Sequence, residues 1–400
     1  MRLVLVGTSH HHAPVELRER VALEKDAARK LASRLAEGDR EAVCLSTCNR
    51  TEVYLAAEDG DAAERDAVAA LAELEPAVEP ALYRLRDQAA ALHLFRVAAG
   101  LDSLVPGEGE ILGQVRAAHE LGTGGPLLDR VFRQALHAGR KVRAQTAIGE
   151  SPASVSSAAA ALAAQVFGEL DGRRVLLLGA GEVGEQAARS LSQRGAEIVL
   201  VANSKTGRDE IEAALGSVDV VVAATSAPEL VLGAATVERA LGSRRGRQLL
   251  LIDLAVPRDL DPSIHQLDGC YLYDIDDLET IVADTLSGRR REAERAEAIV
   301  ATEAAKFHEW HASLDVIPAI ASLRARAEEI REAELRKADA LLGRLDESQR
   351  RAVESITAQI VNKLLHLPTV RMKQAAAAAD GVLYAEAVRH LFGLGEDEGR

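Results

Sequence analysis

The stretch CLSTCNR, residues 44–50, places two cysteines among polar neighbours that could support nucleophilic chemistry. Cys44 lies between two apolar residues and is interpreted as a small core residue. Cys48 stands where a predicted strand ends, and a guanidinium nearby favours the thiolate, which is the nucleophilic form of cysteine. A C-x3-C pair with no second Cys/His pair nearby is a poor zinc site, so no metal is expected. The residues alone leave a catalytic and a structural Cys48 both open.

Histidines are the second group of candidates. His10, His11 and His12 follow one another, and neighbouring side chains on a strand cannot all face one metal ion. We therefore expect a turn with solvated imidazoles. His93 lies among apolar residues in the predicted helix AALHLFRVAAG. That pattern is more typical of a satisfied, half-buried histidine than of a catalytic one.

A glycine-rich turn, GAGEVG, directly follows a predicted strand and opens a helix. In this context the glycines allow a tight turn and the approach of a pyrophosphate to the helix N-terminus. The candidate nucleotide-binding residues are Gly179, Ala180, Gly181, Glu182, Val183 and Gly184. The next strand ends in VANSKTGR, where an NAD site usually carries an acidic residue. Here Ser204, Lys205 and Arg208 suit a 2′-phosphate instead, which favours NADP over NAD.

Short strands and helices alternate before the glycine turn. The predicted strands are RLVLVGTS, EAVCLS, TEVYLAA and ALYRLRD, and the helices between and after them are KDAARKLASRLAE, DAAERDAVAALAEL and QAAALHLFRVAAGL. The order β-α-β-β-α-β predicts a ferredoxin-like α+β arrangement. A loop rich in Gly and Pro then enters a further helix at about Glu110, and another helix follows before the linker IGESP. We expect this first domain to span residues 1–150.

Two further domains are predicted. Continuous apolar runs such as VLLLG and LLLID suit a parallel sheet buried on both faces, so residues 151–288 are expected to form a Rossmann-type NADP-binding domain. Residues 289–400 read as helical, with apolar side chains every three or four positions and an interruption expected at Pro318. An apolar stripe of this length must be buried against another surface. A second copy of the chain is the favoured partner, and a helical cap on the other domains is the alternative.

Composition excludes several classes of protein. No apolar run approaches the roughly 18–20 residues that span a bilayer, so no membrane partner is expected. Three cysteines argue against a disulfide framework and for a reducing, cytoplasmic location. With 3% aromatic residues, stacking platforms for single-stranded nucleic acid are not expected. The net charge of -14 arises mainly in the middle third. The basic patch between Arg130 and Arg143 is either a solvated helix face or a phosphate contact.

Taken in order, these motifs resemble the glutamyl-tRNA reductase family. The resemblance covers nearly the whole chain and rests on the segments GTSHHHAPVELRERVAL, LSTCNRTEVYL, HLFRVAAGLDSLVPGEGEILGQVRAA, GRKVRAQTAIGESPASVSSAA, VLLLGAGEVGEQAARSL and LIDLAVPRDLDP. It implies a multidomain α/β protein with a catalytic domain, an NADPH-binding domain and a helical dimerisation domain. It also implies NADPH-dependent reduction of glutamyl-tRNA(Glu) to glutamate-1-semialdehyde, with release of tRNA, as the first step of tetrapyrrole (porphyrin) biosynthesis.

The resemblance also assigns residues and partners. It places the nucleophile, which forms a thioester, at Cys48 and a second catalytic residue at His93. The implied substrate-binding residues are Thr47, Asn49, Arg50, Ser103, Glu108, Gly109, Glu110 and Gln114. Arg50 could read the glutamate carboxylate through a bidentate fork. The implied partners are glutamyl-tRNA(Glu), a second copy of the chain and, by analogy alone, glutamate-1-semialdehyde aminomutase. The linker near residues 149–152 should permit a domain movement.

Three positions depart from the family pattern. Family members often carry Gln where this chain has Glu110, and an Arg is common where Ser204 stands. The family typically has one histidine where this chain has three, and it aligns with His10. Three other functions remain to be separated from the implied one, and one of them is a non-enzymatic interaction protein built on the helical tail. A dehydrogenase of a free small acid, resembling shikimate dehydrogenase in its second domain, would need no cysteine. A thiol hydrolase would use Cys48 without a redox step.

Overall fold

The computed structural model describes residues 1–104, 107, 109–149, 155–203, 206–278, 290–376 and 381–394. The chain forms two compact units, Met1–Glu303 and Ala304–Arg400. The first unit contains two separate sheets, and the described part of the second is helical. The expected boundaries after residues 150 and 288 lie outside the described residues, so the division into three domains stays a prediction.

The first sheet is antiparallel and has the ferredoxin-like order β2-β3-β1-β4. Its strands are β1 (Arg2–Ser9), β2 (Glu41–Ser46), β3 (Arg50–Ala57) and β4 (Tyr83–Arg86). Its helices are α1 (Val15–Val21), α2 (Lys25–Leu35), α3 (Gly60–Leu74) and α4 (Asp87–Ala98), with a 3-10 helix at Pro76–Ala81. The β-α-β-β-α-β order predicted from alternating short apolar runs is therefore confirmed, with α1 as an addition after β1.

Both faces of this sheet are covered, and β3 shows how they differ. Val53 and Leu55 pack into a hydrophobic cluster with side chains of α2 and α3. Because successive side chains of a strand point to opposite faces, Arg50, Glu52 and Tyr54 lie on the other face. That face is covered by α4 and by α6 (Pro126–Gln145), which follows α5 (Ile111–Leu121). A buried strand thus carries a polar stripe on one side, and this stripe organises the candidate site.

The second sheet is parallel, with the order β6-β5-β7-β8-β9. Its strands are β5 (Arg174–Leu178), β6 (Glu197–Ala202), β7 (Val220–Ala223), β8 (Leu249–Asp253) and β9 (Cys270–Tyr273). The helices are α7 (Val155–Phe167), α8 (Glu182–Ser192), α9 (Arg208–Leu215) and α10 (Ala234–Ser243), and a 3-10 helix covers Pro262–Gln266. The chain reverses its direction of winding between β5 and β7. In a doubly wound sheet, ligands bind at the carboxyl ends of the strands at such a point.

The C-terminal part of the chain is helical, as predicted. Its helices are α11 (Arg290–Lys337), α12 (Asp339–Leu342), α13 (Glu347–Ala376) and α14 (Gly381–Leu391). The expected interruption at Pro318 is wrong, because α11 continues through this residue. Proline removes one helical hydrogen bond. The neighbours Val316, Ala319 and Ile320 are buried in a cluster with Leu365 of α13, and this packing outweighs that loss. No helix in the described ranges has the length and apolarity to span a bilayer.

Candidate active site

Cys48 lies at the tip of the hairpin between β2 and β3. The strands pair up to Ser46 and Thr51, and the Thr47 N–H donates to the Arg50 carbonyl oxygen at 2.8 Å. Thr47, Cys48 and Asn49 therefore form a tight connection, and the Asn49 N–H donates to Thr47 Oγ1 at 3.2 Å. The Cys48 side chain is half-buried and packs against a hydrophobic cluster built largely from the parallel sheet. The hairpin thus presents one thiol beside the second sheet.

Cys44 is the structural member of the pair, as predicted. It lies in the core of the ferredoxin-like sheet with α2 and α3. Burial, assisted by the charge of Glu52, raises the pKa of the Cys44 thiol to about 12. A thiol that stays protonated and enclosed is neither a nucleophile nor a metal ligand at neutral pH.

Glu52 is the centre of a buried polar network that the sequence reasoning missed. Its carboxylate accepts hydrogen bonds from Arg50, Tyr54, Tyr83 and His93 at 2.8, 2.5, 2.5 and 2.8 Å. Burial disfavours its ionisation, but the charges of His93 and Arg50 and the hydrogen bonds outweigh burial and hold the pKa of Glu52 well below its usual range. The available signal was the spacing of Arg50, Glu52 and Tyr54, which puts three polar groups on one face of a buried strand.

His93 is oriented by this network. Its Nε2 is 2.8 Å from Glu52 Oε1, and its ring lies 5.3 Å from that of Tyr83. Because Glu52 is ionised, Nε2 is the donor, and in the neutral ring the lone pair is on Nδ1. The prediction that His93 is satisfied and half-buried is confirmed. Its hydrogen-bond partner is the carboxylate of Glu52, however, and a carboxylate bonded to one ring nitrogen is also the arrangement that holds a catalytic imidazole in place.

Arg50 is almost fully enclosed, with 1% of its surface exposed. Its Nη1 donates to Glu52 at 2.8 Å and to Asp102 Oδ2 at 2.9 Å, and Nη2 donates to the Asp102 carbonyl oxygen. Burial opposes its charge, but Glu52, Tyr83 and Asp102 together raise the pKa of Arg50 above its ordinary value. Pairing of Arg50 with a substrate carboxylate stays a prediction, and it requires the substrate to displace Asp102 or to use Nε.

The predicted second substrate loop is only partly beside this network. Ser103 is buried next to Asp102. Gly109, Glu110 and Gln114 line a separate cavity of about 460 Å³, which also includes Cys44, Ser46 and Glu182. Glu110 accepts a hydrogen bond from Gln186 Nε2 at 3.1 Å, and burial followed by the charge of Glu182 raises the pKa of Glu110. Glu108 lies outside the described residues.

The histidine run divides in two. His11 and His12 are exposed, as expected, but the expectation of a solvated His10 is wrong, because only 9% of its surface is exposed. The backbone continues the β1–β3 pairing for one more residue, with the His10 N–H donating to the Asn49 carbonyl oxygen at 2.9 Å. Burial, followed by the charges of His11, Arg50 and Arg18, lowers the pKa of His10 to about 3. His10 is therefore neutral near pH 7.

The glycine turn after β5 fits a dinucleotide. Gly179 has a φ of 104°, and a Cβ there would lie 2.4 Å from the Ala224 carbonyl oxygen. A Cβ on Gly184 would lie 2.4 Å from the Gly179 carbonyl oxygen, whereas Gly181 faces open space. The turn borders a cavity of about 590 Å³ at the carboxyl ends of β5 and β7. Two glycines are thus required by the fold, and Gly181 leaves room for a phosphate at the N-terminus of α8.

The predicted 2′-phosphate residues stay predictions. Ser204 and Lys205 lie outside the described residues, and so does the side chain of Arg208, the first residue of α9. Ala180, Glu182 and Val183 line the nucleotide cavity beside the glycines.

Family models match three segments of the chain. The glutamyl-tRNA(Glu) reductase N-terminal domain matches residues 6–146, and the dimerisation domain of the same family matches residues 295–394. The shikimate/quinate 5-dehydrogenase model matches residues 161–210 and 204–281. The last match covers the parallel sheet with its glycine turn.

Full-length relatives agree with these matches. The glutamyl-tRNA reductase of Rubrobacter xylanophilus is 44% identical, over 98% of this chain and 97% of the relative. That of Natranaerobius thermophilus is 38% identical, over 100% of this chain and 93% of the relative. The solved glutamyl-tRNA reductase of Methanopyrus kandleri is 33% identical and covers 98% of this chain and 99% of its own, with a TM-score of 0.47.

The parallel sheet with its glycine turn, joined to a thiol-bearing ferredoxin-like sheet, is typical of a multidomain oxidoreductase with a Rossmann-type dinucleotide-binding domain. Both glutamyl-tRNA reductase family models and the full-length relatives identify the particular family. The chain belongs to the glutamyl-tRNA reductase family, the oxidoreductases of the first step of tetrapyrrole biosynthesis.

Proposed function

We propose that this chain reduces glutamyl-tRNA(Glu) to glutamate-1-semialdehyde with NADPH, releases tRNA, and forms a thioester on Cys48 as the intermediate. The observation that carries the proposal is the position of Cys48. It is a half-buried thiol at a hairpin tip, packed against the hydrophobic cluster of the nucleotide-binding sheet. A free-acid dehydrogenase needs no such thiol, and a simple hydrolase needs no such sheet.

The acyl-transfer step uses the thiolate of Cys48. Its Sγ attacks the carbonyl carbon of the glutamyl ester, and the bond from that carbon to the tRNA ribose oxygen breaks. The ribose oxygen takes up a proton and leaves as the free hydroxyl of tRNA. A thioester carbonyl accepts a hydride more readily than a carboxylate does. NADPH, when bound, supplies that hydride and is left as NADP⁺. Cleavage of the carbon–sulfur bond then releases the aldehyde and returns Cys48 as thiolate.

His93 and Glu52 supply proton control in this proposal. With Nε2 donating to Glu52, the ring is fixed and Nδ1 is the atom able to exchange a proton with the leaving ribose oxygen. Both oxygens of Glu52 are engaged by side chains of this chain, so Glu52 acts as a positioning residue. The same carboxylate holds Arg50 in place, so the hairpin and α4 are set by one buried charge.

The remaining site assignments follow the family resemblance. Thr47, Asn49 and Arg50 surround Cys48, and Ser103, Glu108, Gly109, Glu110 and Gln114 complete the substrate site. The nucleotide site comprises Gly179 to Gly184, with Ser204, Lys205 and Arg208 for the 2′-phosphate. Glu110 Oε1 accepts a hydrogen bond from Gln186, so contact of that oxygen with the substrate requires this bond to be shared or broken. A reducing cytoplasm suits cysteines that form no disulfide. Transfer of the aldehyde to glutamate-1-semialdehyde aminomutase suits the reactivity of the aldehyde.

The test is a reduction assay with purified glutamyl-tRNA and NADPH, comparing the wild type with Cys48→Ser and Cys44→Ala. We expect Cys48→Ser to abolish aldehyde formation, because serine forms no thioester. Cys44→Ala is the matched control, and we expect it to retain activity. Aldehyde formation by Cys48→Ser would rule out the thioester route and favour direct reduction of the ester.

A further inference from the structure

Arg18 of α1 contacts the nucleophile hairpin directly. It is buried, with 2% of its surface exposed. Its Nη1 donates to the Cys48 carbonyl oxygen at 2.7 Å and to Asn49 Oδ1 at 3.2 Å. These contacts bind the backbone of the nucleophile and the side chain after it. A charged donor at a hairpin tip restricts the conformation of that tip more strongly than a neutral donor would.

The other arm of the same guanidinium reaches the nucleotide-binding sheet. Nη2 donates to Asp276 Oδ1, and the second oxygen of Asp276 accepts the Val15 N–H at 2.9 Å. Asp276 follows β9, between Ile275 and Leu278, which are buried in the cluster that also holds Val15. Cys48 packs against this same cluster. Arg18 of α1 therefore links the Cys48 hairpin to the segment that follows β9 of the parallel sheet.

The planarity of the guanidinium makes this link directional. Its two Nη groups are held in one rigid plane, so a shift of Asp276 changes where Nη1 points. Lysine carries a single charged group on a flexible stem and cannot bridge the two sides in this way. A second ion pair on α1 provides a comparison, because Arg258 binds Glu19 at 2.9 Å and Glu16 at 2.7 Å without touching the hairpin.

We propose that Arg18 is a positioning residue that couples the Cys48 hairpin to the nucleotide-binding sheet through Asp276. Docking of the sheet then sets the position of Cys48. This inference rests on the proposed function for its catalytic consequence, because the thioester must be presented to the cofactor domain for reduction. The coupling itself involves only residues of this chain.

The first test measures the coupling without substrate or nucleotide. The rate of alkylation of Cys48 by iodoacetamide is compared in wild type, Asp276→Asn, Arg18→Lys and the double variant, with Cys48→Ser to subtract labelling of other thiols. We expect both single variants to change the rate in the same direction, by about 3-fold or more, and the double variant to resemble Arg18→Lys. The control Arg258→Gln should keep the wild-type rate. Melting temperatures show that each variant is folded. If Arg18→Lys does not fold, the alkylation rates of Asp276→Asn and Arg258→Gln are compared, and a change in the first variant alone supports the coupling.

The second test separates the two chemical steps. In single turnovers with glutamyl-tRNA before NADPH is added, we expect Asp276→Asn to change the rate of thioester formation by no more than the factor found for alkylation of Cys48. On addition of NADPH, reduction should be about 10-fold or more slower, because small misplacements of a reacting group cost rate heavily. Reduction after NADPH is added should be slowed much less in Arg258→Gln than in Asp276→Asn.

Two results would overturn the inference. One is an equal effect of Asp276→Asn and Arg258→Gln, which would mean that α1 only docks the sheet. The other is additivity of Arg18→Lys and Asp276→Asn, which would mean that the two residues act independently. Failure of the wild type to form any thioester would instead refute the proposed function, and the alkylation comparison would still decide the coupling.

Discussion

Glu52 decides how the chemistry around Cys48 is arranged at the residue scale. A carboxylate in a buried strand is costly unless its charge is paired and its oxygens are bonded. Glu52 meets both conditions through Arg50, His93 and two tyrosines. Two of these four contacts hold the imidazole of His93 and the guanidinium of Arg50, which the proposed reaction needs.

Glu52→Gln tests this role. The amide removes the charge that orients His93 and leaves Arg50 with Asp102 alone, so we expect kcat to fall about 100-fold, within the range for a lost proton-transfer group. KM for glutamyl-tRNA should change less. The exposed Glu58, at the end of the same strand, provides the control Glu58→Gln. A kcat within about twofold of wild type for Glu52→Gln would remove Glu52 from the account.

His10 predicts a pH dependence of stability. Its pKa is about 3 in the folded chain, against 6.5 when unperturbed. Between these values the unfolded chain binds one proton more than the folded chain. Stability therefore rises with pH across this window and is lost as pH falls, by about 1.4 kcal/mol per unit from this residue. Glu52 adds little above pH 5, since its pKa is already low when unfolded.

His10→Asn removes the titrating ring and keeps a neutral polar side chain. Urea unfolding at several pH values below 6.5 should give a flatter dependence of the unfolding free energy for this variant than for wild type. His137→Asn, at an exposed site of α6, should keep the wild-type slope. Parallel curves for His10→Asn and wild type would contradict a buried, neutral His10.

At the scale of elements, the glycine turn after β5 contains glycines with two different roles: one is required by the fold, and another leaves space for a ligand. Gly179 has positive φ and no room for a Cβ, whereas Gly181 faces open space. We expect Gly179→Ala to lower the melting temperature of the protein. Gly181→Ala should fold normally but bind NADPH at least about 10-fold more weakly, because its methyl group occupies the approach of the pyrophosphate. Fluorescence titration with NADPH and NADH measures both variants. Wild-type affinity in Gly181→Ala would exclude the turn as the phosphate site.

Most elements could be predicted from the sequence because their signals are local. The alternation of strands such as β1 and the continuous apolar run of β5 depend on neighbouring residues alone. The network around Glu52 could not be predicted in this way, since Tyr83 and His93 come from distant segments that meet only in the folded sheet. The same holds for Arg18 and Asp276. The prediction of a helix interruption at Pro318 failed for the opposite reason. Proline is a strong local signal for an interruption, but the packing of its neighbours overrides it.

At the scale of the whole molecule, α13 leaves an apolar stripe exposed. Ile356, Ile360, Leu364 and Leu367 each have about half or more of their surface exposed, at 56%, 52%, 69% and 53%. Their spacing of three and four puts them on one face of the helix, while Leu365 packs toward α11 on another. This helix lies within the match to the family's dimerisation domain, which supports a homodimer.

Leu364→Glu tests the stripe. A charge in an apolar helix seam is strongly unfavourable, so we expect a dimer in the wild type and a monomer in this variant at micromolar concentration. Asn362→Glu, at an exposed position on another face of α13, should remain dimeric. Sedimentation velocity distinguishes the states, and a dimeric Leu364→Glu with wild-type affinity would place the interface elsewhere.

The central claim is that the glutamyl group passes through Cys48. The most direct measurement is the mass of the intact protein and of its Cys48 peptide after mixing with glutamyl-tRNA in the absence of NADPH. We expect one glutamyl group on Cys48 in wild type, none in Cys48→Ser, and loss of the adduct with formation of aldehyde when NADPH is added. An unmodified wild-type Cys48 together with active aldehyde formation, or a glutamyl adduct that persists in Cys48→Ser, would contradict it.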